Sequence, residues 1–200
     1  MKYDVIVVGA GPVGSYISKN LSEKGLKVLL LEKKQKPGKK ACSGIIGTEA
    51  FKRFNLPENP VVSRIDTIRI TSPSGKTITY KHPENMANVV DRMRFDRLML
   101  SEAISRGVEY WESSKVLYIS NLDGHVDVRF LRKRKDQHVV GRIAVLSTGF
   151  NPHLLKPLGL SYRDFFEGAQ VEGELVKNIA FPEVFPGGIF GDGFGWILPL

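Results

Sequence analysis

The stretch "YDVIVVGAGPVGS" (residues 3–15) decides the fold. Its first half is an unbroken apolar run. That is the signature of a parallel strand buried on both faces, where alternation is lost. Its second half sets Gly9, Gly11 and Gly14 in G-x-G-x-x-G spacing. Alone this spacing is a weak signal; between an apolar strand and a helix it is specific. Gly9 permits a tight turn, Gly11 lets a pyrophosphate approach the backbone, and Gly14 lets helix and strand pack closely. The free N–H groups and dipole of the helix start then favour an anion.

The surroundings supply that context. "PVGSYISKNLSEKG" (12–25) reads as the helix, with Gly25 as its stop signal. "KVLLLEK" (27–33) is a second apolar strand. Strand, helix and strand fit within about 30 residues, the length of a βαβ unit. Glu32 ends the second strand, 18 residues after Gly14. A carboxylate there can accept hydrogen bonds from ribose hydroxyls. The competing reading is a glycine-rich turn in an empty α/β domain. Strand, turn, helix and acid together weigh against it.

Size and composition agree with a globular protein. The chain has 200 residues, 42% of them hydrophobic and 25% charged, enough for a real core. A single cysteine, Cys42, excludes an internal disulfide. No apolar run reaches the roughly 18–20 residues that span a bilayer, and the N-terminus lacks a signal-peptide pattern. The chain reads as cytoplasmic. The formal charge is +8, with clusters at "EKKQKPGKK" (32–40) and "RKRK" (132–135). The second reads as a solvated hairpin tip, or as a contact for phosphate head groups or an acidic redox partner. No helix-turn-helix, zinc or aromatic RNA-binding signature accompanies the charge, so nucleic acid is set aside. No metal site is expected.

Further along, "TEAFKRFNL" is a helical candidate within a loop region. "IDTIRITSPSGKTITYKH" (65–82) alternates and turns at "SPSG", as a hairpin does. "RFDRLMLSEAISRG" (94–107) has Phe95, Leu98, Met99, Ala103 and Ile104 at helical spacing. Asp96 fits a first-turn helix residue stabilised by the dipole. "VEYWESSKVLYISNLDGHVDVRFL" and "HVVGRIAVLSTG" supply strands, with turns at "NLDG" and "RKRKDQ". The end is rich in Gly, Pro and aromatics. The expected fold is α/β: a Rossmann-like βαβ with a parallel sheet, a β-meander, and part of a mixed or antiparallel substrate-domain sheet. The expected domains are 1–60 with 84–160 for the dinucleotide, and 61–83 with 161–200 as a partial substrate domain.

"DVIVVGAGPVGS" with "LEK", "DRMRFDRLML" and "IAVLSTG" resembles the FAD-containing aromatic-hydroxylase-like flavoproteins. Within them the chain is similar to the geranylgeranyl reductase family, through "CSG" (42–44), "RMRFDRLML" (92–100) and "FGWILP" (194–199). The last departs from the family's Y-x-W-x-F-P pattern at Phe194 and Leu198. The resemblance implies reduction of isoprenoid C=C bonds in archaeal-type ether lipids, quinones or chlorophyll precursors. FAD would be the cofactor, with NAD(P)H or ferredoxin as electron donor. A protein group would have to protonate the second carbon. The resemblance puts Gly9, Gly11, Pro12, Val13, Gly14, Glu32 and Lys33 at the cofactor. It adds Cys42, Ser43 and Gly44 in a flavin-side loop, Arg92 facing the cofactor, Val116 at adenine, and Thr148 and Gly149 at the dinucleotide. Phe194, Trp196 and Pro199 would meet substrate. Phe185 and Phe190 join Phe194 and Trp196 either as a prenyl-channel lining or as ordinary core.

Cys42 is a small residue fitting a tight loop or, as a catalytic candidate, a thiol near the flavin, with Lys39 and Lys40 able to lower its pKa. A lipid-like substrate is compatible with peripheral membrane contact. Family members run to roughly twice this length, as the resemblance implies, so the chain reads as an N-terminal portion. "GDG" (191–193) reads as a loop, not as the family's second cofactor segment. Two other functions fit the same fold: an FAD-dependent aromatic monooxygenase, and a truncated, inactive nucleotide-binding remnant.

Overall fold

The computed structural model describes residues 2–38, 41–160, 165 and 167–200. The chain opens with β1 (Tyr3–Val8), α1 (Pro12–Glu23) and β2 (Val28–Leu31). Next come β3 (Ile45–Gly47), α2 (Thr48–Phe54), β4 (Val61–Ile65), β5 (Thr67–Thr71), β6 (Thr77–Lys81) and β7 (Ala87–Val90). The helix α3 (Arg92–Ser105) leads to β8 (Glu109–Trp111), β9 (Ser114–Leu122), β10 (His125–Arg132) and β11 (Lys135–Leu146). A short α4 (Pro152–Leu155), β12 (Glu183–Pro186) and β13 (Phe194–Ile197) complete the order.

Two compact units result: Met1–Lys39 with Met93–Asp164, and Lys40–Arg92 with Phe165–Leu200. Residues 40–60 and 84–92 group with the second unit, whereas the sequence assigned them to the dinucleotide domain. The reason is strand pairing. β7 lies between β3 and β4 in a three-stranded sheet, so backbone hydrogen bonds tie these segments to one another.

The first unit is built on a six-stranded sheet in the order β8-β2-β1-β11-β10-β9. β8, β2, β1 and β11 run parallel. β11 serves two roles. Up to Gly141 it pairs antiparallel with β10; from Gly141 onward it runs parallel to β1. A Cβ on Gly141 would lie 2.8 Å from Ile6 Cδ1, so the crossing point is tight. The expected parallel sheet with a β-meander is therefore present.

Both faces of the parallel strands are covered, which is why their sequences do not alternate. One core gathers Ile6, Leu29 and Leu31 with Val128 and Phe130 from the meander. The other gathers Val7, Val28 and Leu30 with Leu100, Ala103 and Val108 around α3. On α3 the buried residues are Phe95, Asp96, Met99, Leu100 and Ala103; Ile104, expected inside, is exposed. Asp96 is 3% exposed and lies beyond the first turn, so it is not a solvated dipole partner.

The helix stops follow from glycine. After α1, Leu26 N–H donates to the Leu21 carbonyl and Gly25 N–H to Ser22, with Gly25 at φ +80°. After α3, Val108 and Gly107 repeat the pattern onto Ala103 and Ile104, with Gly107 at +91°. This is the left-handed C-terminal motif that satisfies the last carbonyls. Among the described residues, no helix is long and apolar enough to cross a membrane.

The second unit holds the three-stranded sheet, α2 with Phe51 buried, and a four-stranded sheet ordered β13-β12-β5-β6. β5 and β6 form the expected hairpin. β12 runs parallel to β5 and antiparallel to β13.

Candidate dinucleotide site

The three motif glycines are each required for a different reason. Gly9 sits at φ +103°, and a Cβ there would lie 2.6 Å from the Ser147 carbonyl oxygen. On Gly14 a Cβ would collide with the Gly9 carbonyl oxygen and reach 2.5 Å from Ser147 Oγ. Around Gly11 there is nothing within 4 Å of the Cβ position. Gly14 thus serves packing, and Gly11 serves open space. Gly11 is also the N-cap of α1 and Pro12 opens the helix, with no side-chain cap. Proline suits this place because its missing N–H would have had no helical partner. Val13 is exposed at this end. An open backbone at an uncapped helix start is a place for an anion.

Ser147, which the sequence reading passed over, holds the turn from below. Its hydroxyl lies 2.8 Å from the Gly9 carbonyl oxygen and 3.0 Å from that of Val8, and its N–H donates to Val8. The signal available was a small hydroxyl residue ending an apolar strand, beside the expected Thr148 and Gly149. Thr148 Oγ1 donates to the Gly149 carbonyl at 3.2 Å, and Gly149 takes φ +63°. These residues follow directly on β11, so they belong to the same end of the sheet as the glycine turn.

Glu32 is 8% exposed. Its Oε2 accepts the Ala10 N–H at 2.8 Å and its Oε1 accepts the Lys34 N–H at 2.9 Å. The carboxylate therefore ties the β1–α1 turn to the exit of β2. Each carboxylate oxygen has two lone pairs, so capacity remains for ribose hydroxyls. Lys33 points into solvent beside it.

A second missed residue is Tyr110. It pairs in register with Leu30 on the neighbouring strand. Its hydroxyl is buried and has no hydrogen-bond partner among the described residues. Burial, then the charges of Glu32 and Glu112, push this phenol up to about 12. An unspent donor thus lies buried near the Glu32 carboxylate. Nothing local in "VEYWE" signals it. Val116 lies two residues beyond Ser114, whose N–H donates to the Glu32 carbonyl at 2.7 Å. The Val116 side chain packs on the core around Phe130.

The remaining candidates belong to the second unit. Cys42 is exposed. Ser43 Oγ accepts the Ile45 N–H at 3.5 Å. Gly44 has φ +76°, and a Cβ there would collide with the Val90 carbonyl oxygen. Its own carbonyl accepts the Val90 N–H at 3.0 Å. The close approach at Gly44 is therefore to strand β7. Lys39 and Lys40, read as neighbours of the thiol, lie outside the described residues. Arg92 is the first residue of α3.

Register sorts the aromatics. Ile70 pairs with Ile78 and Val184, Val184 with Trp196, Ile68 with Tyr80, and Pro186 with Phe194. Directly paired residues share a face, so one face of the four-stranded sheet is entirely apolar and aromatic. It is also open: Ile78 is 70% and Phe194 59% exposed. Phe194 and Trp196 have ring centres 6.0 Å apart. Phe185 pairs with Gly195 on the opposite face, and Gly195 leaves room for the Phe190 ring. The four aromatics thus do not form one lining. Pro199 follows β13 and is half-buried.

Residues 7–55 match the model of an NAD(P)-binding Rossmann-like domain. The chain is 28% identical to digeranylgeranylglycerophospholipid reductase 3 of Methanosphaera stadtmanae, over 98% of this chain and 53% of that protein. It is 33% identical to a geranylgeranyl diphosphate reductase of Rhodobacter capsulatus over 54% of this chain and 27% of that protein. Among solved structures, a geranylgeranyl bacteriochlorophyll reductase-like protein of Thermoplasma acidophilum superposes with a TM-score of 0.82 at 22% identity, covering 98% of this chain and 53% of that one. The chain spans about half the length of the curated relatives it matches along its whole length. The chain that carries the Gly-rich turn, buried acid, meander and second sheet is thus similar to the geranylgeranyl reductases over nearly all of its own length and about half of theirs.

Proposed function

We propose that this chain is the FAD-binding portion of an oxidoreductase that saturates C=C bonds of isoprenoid chains, as in an archaeal-type ether lipid, a quinone or a chlorophyll precursor. The observation that carries the reading is the pairing of Gly14 and Gly11 on one turn. Gly14 is sterically locked under the Gly9 carbonyl, while Gly11 faces open space at an uncapped helix start. That division of labour suits a pyrophosphate at Gly11, Pro12 and Val13.

The residues fit FAD in three respects. The α1 N-terminus offers N–H groups to the pyrophosphate. Glu32, fixed by two backbone N–H groups, keeps lone pairs for ribose hydroxyls. The buried Tyr110 hydroxyl is a donor without a partner among the described residues. When bound, FAD supplies hydride transfer to the alkene, with NAD(P)H or ferredoxin as the source of electrons. An isolated alkene accepts hydride poorly, so the protein must contribute positioning and water exclusion. The apolar face carrying Phe194 and Trp196 suits a prenyl chain, because it offers aliphatic and aromatic surface and no charge. Family likeness alone gives Cys42, Ser43, Gly44 and Arg92 flavin-side roles, with the Cys42 thiol as the catalytic candidate, modulating protonation or gating.

The purified chain should take up FAD and hold it through gel filtration. A chain that stays colourless after incubation with FAD would remove the enzyme reading. Anaerobic reduction of a prenyl lipid by the dithionite-reduced protein favours the reductase, and oxygen-coupled NAD(P)H oxidation with an aromatic substrate favours a monooxygenase. Unchanged turnover in Cys42→Ala would remove the thiol from the reaction.

A further inference from the structure

The surplus charge of +8 has a local concentration in the first unit. The β10–β11 hairpin closes through Arg132, Lys133, Arg134 and Lys135. The two tip residues, Lys133 and Arg134, sit at φ +51° and +63°. Two-residue hairpin turns of this kind favour Asn-Gly, because side chains other than those of Gly, Asn and Asp are strained there. Cations therefore occupy a position where smaller residues would be conformationally easier. Two more cations, Lys2 and Lys27, gather with Arg132 on the aromatics at the base of the tip. Arg132 Cζ lies 4.8 Å from the Trp111 ring centre and Lys2 Nζ 5.5 Å from it; Lys27 Nζ is 5.6 Å from that of Tyr3.

The nearby carboxylates offset this charge only in part: Glu109 keeps its negative charge among the rings, and Asp4, which accepts the Lys27 N–H, is paired with Arg142. Asp136 pairs in register with Leu131, whereas Arg132 pairs with Lys135. Strand alternation puts Asp136 on the opposite face, where Arg129 holds it. The Asp136 carboxyl is accordingly held below its usual range by that guanidinium. Glu109 is engaged by the Tyr3 hydroxyl at 2.7 Å and the Trp111 indole at 3.0 Å.

We propose that this six-cation patch docks the protein on an anionic lipid bilayer. Its cations ride on long flexible stems around a protruding tip. Two concavities on this unit's surface are lined by other residues. Such an array meets a planar field of head groups by charge density, without shape complementarity. The proposal deepens the isoprenoid-lipid reading and rests on it for its purpose, since a lipid-embedded chain has to be met at a bilayer.

The test is co-sedimentation of the chain with phosphatidylcholine vesicles, with and without phosphatidylglycerol, at low and high salt. Binding should require the anionic lipid and be released by salt. The double variant Lys133→Asn/Arg134→Gly installs the pair this turn prefers, so folding is retained while two cations are lost. With each surface cation contributing roughly five-fold, partitioning should fall about 25-fold. Lys133→Arg should bind as the parent does. Equal binding to neutral vesicles, or an unchanged double variant, overturns the proposal. So does retention on a polyglutamate resin without vesicle binding, which would point to an acidic protein partner. Vesicle binding by a chain that takes up no FAD supports the surface and removes the flavin reading. FAD uptake without vesicle binding does the reverse.

Discussion

The parallel strands of the first unit and the four-stranded sheet of the second treat their apolar side chains in opposite ways. On β1 and β2, Ile6, Val7, Leu29 and Leu30 are fully buried, with covering layers on both faces. On the second sheet Ile78, Tyr80 and Phe194 share one apolar face that is largely exposed. The first region builds a scaffold. The second leaves one apolar face of its sheet largely exposed. The sequences differ accordingly: β1 and β2 are almost wholly apolar, whereas β5 and β6 alternate apolar with polar residues and so gather their apolar side chains on one face.

The sharpest way to break this comparison is to truncate one isoleucine in each region. Ile6→Ala should cost about 2–5 kcal/mol through lost transfer energy and a cavity. Ile78→Ser should stay within about 0.5 kcal/mol. Urea unfolding of the two variants measures both. Similar losses would mean that the second sheet is core after all.

The same contrast can be drawn inside the glycine turn. Gly14→Ala forces a Cβ against the Gly9 carbonyl and should cost about 3 kcal/mol by overpacking. Gly11→Ala meets nothing within 4 Å and should cost no more than about 1 kcal/mol, at the N-cap. Its effect should appear in FAD affinity, measured by flavin fluorescence. A Gly11→Ala protein that binds FAD as the parent does would move the pyrophosphate elsewhere.

Glu32→Ala strips the Ala10 N–H of its acceptor in a buried place. The expected loss is about 1–3 kcal/mol, with weaker FAD binding as well. Comparing FAD with flavin mononucleotide separates the two effects, because only FAD carries the adenosine ribose.

The smallest effect is one of pH. The Tyr110 phenol is raised from 10.0 to about 12 in the fold. A group with a raised folded pKa stabilises fully below its unfolded pKa and loses that contribution as pH rises through the folded one. Stability should therefore decline between pH 10.0 and about 12, and Tyr110→Phe should flatten part of the decline. Urea midpoints across that range test it. Asp4 acts at the other end. The Lys27 N–H, then Arg142, hold its carboxyl below its ordinary value, so its contribution fades as pH falls below the carboxylate range.

Much of the first unit was legible in the sequence, because its signals are local. Gly25 and Gly107 end helices through their own left-handed conformations. In the second unit the β5–β6 hairpin could likewise be read from alternation around "SPSG". Less was legible where distant segments meet. Ser147 reaches the Gly9 carbonyl across 138 positions of chain, and Tyr110 comes to Glu32 through the placement of β8 beside β2. The domain borders moved because β7 joins β3 to β4, a pairing that no single segment announces. The aromatic quartet split because a strand sends successive side chains to opposite faces. Phe185 therefore parted from Phe194 and Trp196 once β12 and β13 were in register.

By itself the sequence determined the glycine turn, the acid after β2, the buried parallel strands and the helix stops. Steric demands and hydrophobic period act within a few residues, so they can be read along the chain. Only the tertiary structure decided which glycine is locked and which is open, what fixes Glu32, and which apolar face is left uncovered. Those depend on how separate segments meet: Ala10 with Glu32 across 22 positions, Ser147 with Gly9 across 138, and Arg69 with Glu183 across 114. A slip of one residue there would turn every side chain to the other face.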